Sequence, residues 1–320
     1  MNTLSPPLSG GATVAKVIAE FPGHAGPVAA VGFTPDRSLL VSADRDGTAR
    51  VWDLGGAKPG HRGDVPRAGD GVRSVACGPT SRVIALGADA LAGLVRLYDI
   101  TEKTPADGPI LRGARGAVIA LAFSPDGKLV AGGGEDNTLR IWEPGPGFRG
   151  DARIVLPGHT QPITAVAFAP DAHSAATASR DGSVRVWTLS RIRSSQRCAL
   201  PHPAGVDALA FLPDGKSLVT AAADGRVRVW DTAGIKPVVR TEFAGAAKVL
   251  AVVSPELLVG TADGSVVTNW DPRSGKVLAA WDVPGGPGTS AALTVDGRYL
   301  ARGTAKGAVG VYRVAEKRAR

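Results

Sequence analysis

Apolar runs of four to six residues, each closed by turn-forming residues, recur along the whole chain. The first run of a unit reads VAAVGF before Thr34-Pro35-Asp36, VIALAF before Ser124-Pro125-Asp126-Gly127, ITAVAF before Ala169-Pro170-Asp171 and VDALAF before Leu212-Pro213-Asp214-Gly215. A second run follows, as in LLVSA at 39–43 or SLVTAA at 217–222. The third ends in an aromatic, at Trp52, Tyr98, Trp142, Trp187, Trp230, Trp270 and Tyr312, and these anchors lie 40–46 residues apart. Tight-turn pairs stand before several of them, at Asp46-Gly47, Asp181-Gly182, Asp224-Gly225 and Asp263-Gly264. Runs this short, bounded by such turn chemistry, predict β-strands joined by hairpins. A fourth, less regular strand then leads into the next unit. A sheet of four strands cannot hide both faces by itself, whereas copies stacked around a ring bury both and leave only short edges.

The words around the anchors agree in register: DGTARVWD ends at Asp53, AGLVRLYD at Asp99, DNTLRIWE at Glu143, DGSVRVW at Trp187 and DGRVRVWD at Asp231. This arrangement resembles the WD-repeat (WD40-type) family from Val14 to Val314. The resemblance implies an all-β, seven-bladed β-propeller of four-stranded antiparallel blades. Few residues follow Tyr312, so the last unit lacks a fourth strand, and residues Ala12–Phe21 precede the first unit without three strands of their own. Val14, Val17 and their neighbours are therefore expected to supply the outer strand of the last blade, which is how the family closes its rings. The expected organisation is a flexible tail over residues 1–12, one propeller over 13–314 and a basic tail over 315–320.

Composition supports a repeated fold. With 42 glycines and 24 prolines in 320 residues, few windows long enough for a helix are free of breakers. A hydrophobic share of 44% excludes wholesale disorder. Only two cysteines are present, Cys77 and Cys198, without metal-ligand spacing, which suits a reducing compartment. No signal-peptide pattern follows Met1 and no apolar stretch has bilayer length, so a cytoplasmic protein with no membrane association is expected. The net charge of +8 permits acidic partners without naming one. Arginines outnumber lysines 27 to 10, a coding bias that suggests a GC-rich bacterial genome.

Three units contain His, Ser or Thr, Asp and Trp at fixed spacing: His24/Ser42/Asp46/Trp52, His159/Thr177/Asp181/Trp187 and His202/Thr220/Asp224/Trp230. His with Ser and Asp could be a hydrolytic triad. A nucleophile occurs once, however, and this set occurs three times with Thr for Ser in two. The resemblance implies a buried structural relay from Trp through the hydroxyl and His to the turn Asp. Elsewhere Ala92 and Lys306 replace the turn Asp and Gly132 the hydroxyl, so those blades are expected to be held by apolar packing alone. Gly145, Gly147 and Gly150 match a dinucleotide fingerprint, but Pro144 and Pro146 make the stretch a loop with no helix after it. Asp44, Asp46 and Gly47 start like a calcium loop, yet no distal Glu follows. Cys77 takes the place of Phe33, Phe123, Phe168 and Phe211 and is expected in the core. His61 and His173 are expected to be solvated in polar loops. No metal site and no cofactor are expected.

What remains is surface. In the family, two positions per blade on the face of the tight turns commonly dock peptides. Carried over, the residue before the turn Asp gives Arg45, Glu135, Arg180, Ala223, Ala262 and Ala305. The residue after the first apolar position of the unit gives Ala29, Arg73, Ile119, Thr164, Asp207, Val249 and Thr289. Arg45, Arg73 and Arg180 are expected on one rim with few acids nearby. A second basic run, Arg185, Arg191, Arg193 and Arg197, reads as a solvated edge that discourages strand pairing. The leading expectation is a non-catalytic, monomeric scaffold that binds a protein or peptide partner, of acidic or mixed character, on this face. The alternative is a nucleic-acid-associated basic module, which the 5% of aromatics serves poorly as a stacking platform. A propeller hydrolase or lactonase comes third, because nothing supplies convergent acids or histidines.

Overall fold

The computed structural model describes residues 13–56, 58–65, 71–89, 93–145, 147–190, 192–234 and 236–314. The expected tails, Ala92, Pro146 and Arg191 lie outside the described residues. Strands are the only regular elements among the described residues, and they form seven sheets, each the blade of a closed propeller. Blade 1 runs from the channel outwards through Val28–Phe33, Leu39–Asp44, Ala49–Asp53 and Gly60–Val65. Blades 2 to 6 repeat this antiparallel order, with inner strands Val72–Cys77, Val118–Phe123, Ile163–Phe168, Val206–Phe211 and Val249–Ser254. Blade 7 takes Ser290–Leu293, Tyr299–Gly303 and Val309–Arg313 from the chain end, and its outer strand, Lys16–Phe21, from the chain start.

Closure differs in one respect from the sequence expectation. Val17 pairs with Tyr312 in blade 7, but Val14 does not belong to that blade. Thr13–Val14 instead lies parallel to Trp281 and Asp282, as a fifth strand on the edge of blade 6. The backbone N–H of Ala15 also donates to Asp282 O at 2.8 Å. The segment crosses from blade 6 to blade 7 at Ala15, which is buried among Val259, Val267, Trp281 and Tyr312. Two residues are too few for a register to be legible in sequence, since pairing direction is set by where the neighbouring edge happens to be. On the inner side the ring is locked by Thr289 Oγ1 and Ser290 Oγ, which donate to Val28 O at 2.7 and 3.0 Å.

Each interface between blades is a separate apolar layer. Val41, Val51 and Leu39 of blade 1, for example, meet Val72, Ile84 and Tyr98 of blade 2. One layer is flawed. Asn269 stands where Val51, Val186, Val229 and Val311 stand in other blades, is 8% exposed, and leaves its Oδ1 without a partner. Asn269→Val should raise stability by about 1 kcal/mol, because a buried acceptor without a donor costs its desolvation. A thermal melt is the check: a rise of ~2 °C is expected, and a lower Tm would show that the amide is held by something that the valine cannot replace.

Candidate functional site

The inner strands of blades 1 to 5 each carry a β-bulge one residue from their start. Val28 and Ala30 oppose consecutive residues of the next strand, and the same skip occurs around residues 73, 119, 164 and 207. A bulge holds an unpaired residue and re-aims its side chain. Here it turns Ala29, Arg73, Ile119, Thr164 and Asp207 into the channel mouth, where Val249 and Thr289 join them from blades 6 and 7. The seven residues line one cavity of about 510 Å³. Deeper in it, Val31, Val75, Leu121, Val166, Leu209, Leu250 and Ala291 form an apolar collar. The mouth is a polar funnel over a greasy neck.

Its charges are mixed. Arg73 Nη1 lies 3.6 Å from Asp89 Oδ2, and Asp263 and Lys248 also line the wall. Asp207 is half-buried, and this burial pushes its carboxyl up, against the pull of Lys248 and Arg180. Arg73 is thus not a free guanidinium, which corrects the expectation of three cations with few acids nearby; Asp89 sits in the following hairpin, where sequence spacing gave no warning. Arg45, Glu135 and Arg180 are exposed on the tight turns outside the cavity wall. Glu135 Oε2 accepts the Ala117 N–H at 3.1 Å, whereas Arg45 and Arg180 form no ion pair among the described residues. Thr164 and Thr289 spend their hydroxyls on the neighbouring blade, donating to Val206 O at 2.5 Å and Val28 O at 2.7 Å.

The triad-like sets lie away from this funnel, inside the sheets. In blade 4, Trp187 Nε1 donates to Thr177 Oγ1 at 2.9 Å, Thr177 is 2.7 Å from His159 Nε2, and His159 Nδ1 is 2.9 Å from Asp181 Oδ2. Burial raises the Asp181 carboxyl, but hydrogen bonds from Ser183, the Thr160 N–H and His159 outweigh it and bring it to about 2. Burial lowers His159 more than Asp181 raises it, so the ring is neutral at pH 7 and donates through Nδ1. No substrate could reach the hydroxyl, which is fully buried.

Two of the relays end differently from the sequence expectation. In blade 1, Trp52 and His24 meet Ser42, but His24 Nδ1 lies 3.0 Å from Asp44 Oδ2, not from Asp46. Asp44 ends the second strand facing inward and its other oxygen accepts the N–H groups of Asp46 and Thr48, so it does both jobs from one position. In blade 5, Trp230 and His202 meet Thr220 at 3.0 and 2.8 Å, but His202 Nδ1 turns to Leu200 O, and Asp224 instead binds Arg228 at 2.6 Å. In blade 1 the difference lies in the carboxylate: Asp44 stands where blade 4 has Ser179, while glycine precedes the histidine in both, as Gly23 and Gly158. In blade 5 it lies before the histidine. Pro201 precedes His202 with its φ fixed by the ring, and it prolongs the outer strand Ser195–Pro201 up to the histidine. Burial then pushes His202 down to about 4.

The blades without relays are not held by apolar packing alone. Trp142 Nε1 donates to Arg112 O at 2.9 Å in blade 3. In blade 7, Arg302 occupies the hydroxyl position and donates to Tyr312 Oη, Pro284 O and Gly286 O while lying over the Tyr312 ring. His61 is not in a loop either: it lies in an outer strand, with Nε2 2.9 Å from Asp64 and its ring edge-on to Trp52. Cys77 packs half-buried against the blade 1–blade 2 layer, and burial pushes its thiol up to about 12. Of the outer basic run, Arg185 bonds Gln196 and Arg197 bonds Thr232, so these two are structural rather than merely solvated. Among the described residues no group of three His, Cys, Asp or Glu side chains is arranged to hold a metal ion, and no helix is long and apolar enough to cross a membrane.

A closed ring of seven blades, with one cavity lined from every blade and its polar triads sealed in the sheets, belongs to the class of β-propellers. Comparison with known proteins agrees. Residues 15–53, 109–143, 150–188 and 194–231 match the family described as WD domain, G-beta repeat, and they correspond to blades 1, 3, 4 and 5 with the closing strand. Those four blades are WD40 repeats. It is 29% identical over 128 residues to the small ribosomal subunit protein RACK1 of Schizosaccharomyces pombe, covering 38% of this chain and 39% of that protein. It is 31% identical over 127 residues to the cross-pathway control WD-repeat protein 2 of Flammulina velutipes, covering 38% of each. A guanine nucleotide-binding protein subunit beta of Arabidopsis thaliana is 28% identical over 149 residues, 44% of this chain and 38% of that one. The matches span about two fifths of the length of these relatives. All three are eukaryotic and lend no support to the bacterial source that the arginine bias suggests.

Proposed function

We propose that this propeller is a non-catalytic docking platform whose tight-turn face captures a protein or peptide partner. The observation that carries the reading is the funnel: one residue from each of the seven blades converges on a single cavity of about 510 Å³ with a polar rim and an apolar neck. Such a site suits a side chain inserted from a peptide, with the rim fixing orientation. Arg45 and Arg180, exposed and without ion pairs among the described residues, favour acidic residues in the segment that lies across the rim. The names of the relatives, a small ribosomal subunit protein and a guanine nucleotide-binding protein subunit, are those of parts of larger assemblies, and the same role fits a rigid disc. A cytoplasmic, monomeric protein is part of the reading, in keeping with free thiols at Cys77 and Cys198. Affinity capture with the triple reversal Arg45→Glu, Arg73→Glu, Arg180→Glu tests it. Partners retained by the native protein and by an Arg149→Glu, Arg193→Glu control should be lost from the triple variant while its Tm stays within a few degrees. Partners kept by the triple variant would sink the face assignment, and salt-dependent capture of DNA instead of protein would favour the nucleic-acid reading.

A further inference from the structure

On the face opposite the funnel, neighbouring blades meet along seams that open between the first hairpin turns. In three blades an arginine stands at one place beside such a seam, as the extra residue of a bulge in the outer strand opposite the aromatic anchor: Arg62 in blade 1, Arg197 in blade 4 and Arg240 in blade 5. Arg62 Nη2 reaches Thr101 O of blade 2 at 2.6 Å, and Arg197 Nη2 reaches Thr232 Oγ1 of blade 5 at 3.2 Å. Both acceptors lie just past the aromatic anchor of the following blade. Arg240 lines the blade 5–blade 6 seam beside Pro272 and Arg273, and its Nη2 donates at 2.6 Å to Asp231, the residue after Trp230.

Blade 2 has the same bulge without the side chain. Its extra residues, between Asp107 and Ile110, are Gly108 and Pro109. The seam to blade 3 holds a cavity of about 460 Å³ walled by Val83, Leu97, Tyr98, Phe123 and Pro144, against about 360 Å³ in the seam that Arg240 lines. The charged residues in its lining are Asp99 and Asp126, and there is no cation among them. Asp99 follows Tyr98 as Asp231 follows Trp230, so it is the counterpart of the carboxylate that Arg240 binds. Hydrogen bonds from the Thr101 side chain and N–H, with a smaller pull from Arg82, hold the Asp99 carboxyl below the usual range, and it forms no ion pair among the described residues. An anion therefore faces a slot that elsewhere in the same molecule holds a guanidinium.

We propose that the blade 2–blade 3 seam is a receptor for an arginine side chain of a partner protein, which enters beside Asp99 as Arg240 lies beside Asp231. The aliphatic stem covers Leu97 and Phe123, and the planar head reaches Asp99 with paired donors. Arginine is favoured over lysine because its weakly hydrated, flat head fits a narrow seam and a carboxylate together. The inference does not rest on the funnel, which is on the other face.

The blocked peptide acetyl-Gly-Gly-Arg-Gly-Gly-amide and its Lys and Glu counterparts, followed by saturation-transfer NMR against the full chain, provide the test. The Arg peptide should bind, the Lys peptide several-fold more weakly, and the Glu peptide not at all. Asp99→Asn should weaken the Arg peptide about threefold, the usual loss for an exposed ion pair. The double change Gly108→Arg, Pro109→Thr copies the Arg240-Thr241 pair into blade 2 and should block binding from within. Arg45→Glu on the funnel face should leave binding unchanged. No binding of the Arg peptide to the native chain, equal binding of the Glu peptide, or unchanged affinity in Asp99→Asn would each overturn the proposal.

Discussion

Deleting residues 1–21 is expected to lower the Tm by more than 10 °C or to drive the protein into aggregates, whereas deleting residues 1–15 should cost only a few degrees. The short segment Thr13–Phe21 touches three blades. Thr13–Val14 lies on blade 6, Lys16–Phe21 completes blade 7 against Val309–Arg313, and Phe21 stacks on Trp52 of blade 1 with centroids 4.7 Å apart. Its loss removes a full strand and leaves the row of N–H and C=O groups on Val309–Arg313 open to other chains. The shorter deletion removes two parallel pairings and the buried Ala15, and leaves the blade 7 ladder complete. Differential scanning calorimetry with size-exclusion chromatography reads both effects. Equal melting of the native chain and the 1–21 deletion would show that the strand is dispensable for closure.

Among single residues the largest loss is expected at Asp44. Its side chain is fully buried, accepts from His24 at 3.0 Å, and caps the turn through the N–H groups of Asp46 and Thr48. Asp44→Ala leaves three buried or half-buried donors without an acceptor and should cost about 3 kcal/mol. Asp181→Ala, which is partly open to water, should cost somewhat less. Asp46→Ala and Lys306→Ala should each stay within about 0.5 kcal/mol, as for other exposed positions. Urea unfolding of the four variants separates the cases. A loss at Asp46 as large as at Asp44 would place the blade 1 relay back on the turn residue.

Blades 1, 4 and 5 separate what is legible in a repeat from what is not. All three contain His, Ser or Thr, Asp and Trp at the same spacing, and in all three the inner part of the relay, Trp to hydroxyl to His, forms. That part is legible because it is local: the hydroxyl pairs with the residue eight further on, Ser42 with Arg50 and Thr177 with Arg185, so the Trp ten further on lies diagonally beside it on the same face once the turn fixes the hairpin register. The last link fails in two of three, because it depends on what precedes the histidine and on which carboxylate faces inward. The seven repeats, their strand order and the apolar layers followed from periodicity and turn residues in the same way.

The sequence by itself therefore determined the architecture: strand-length apolar runs, turn pairs and aromatic anchors repeated at near-constant spacing leave a ring of blades as the way to bury every face. Only the tertiary structure decided where charges meet. Arg73 finds Asp89 across a hairpin, Asp207 draws Lys248 from the next blade, and Asp99 faces a seam left open by Gly108 and Pro109. It also decided that Val14 belongs to blade 6 and Val17 to blade 7. The physical reason is common to all of these. Burial of apolar faces is additive and written in short periods, whereas a salt bridge, a filled slot or a strand's choice of edge depends on the relative placement of two blades, which no single repeat encodes.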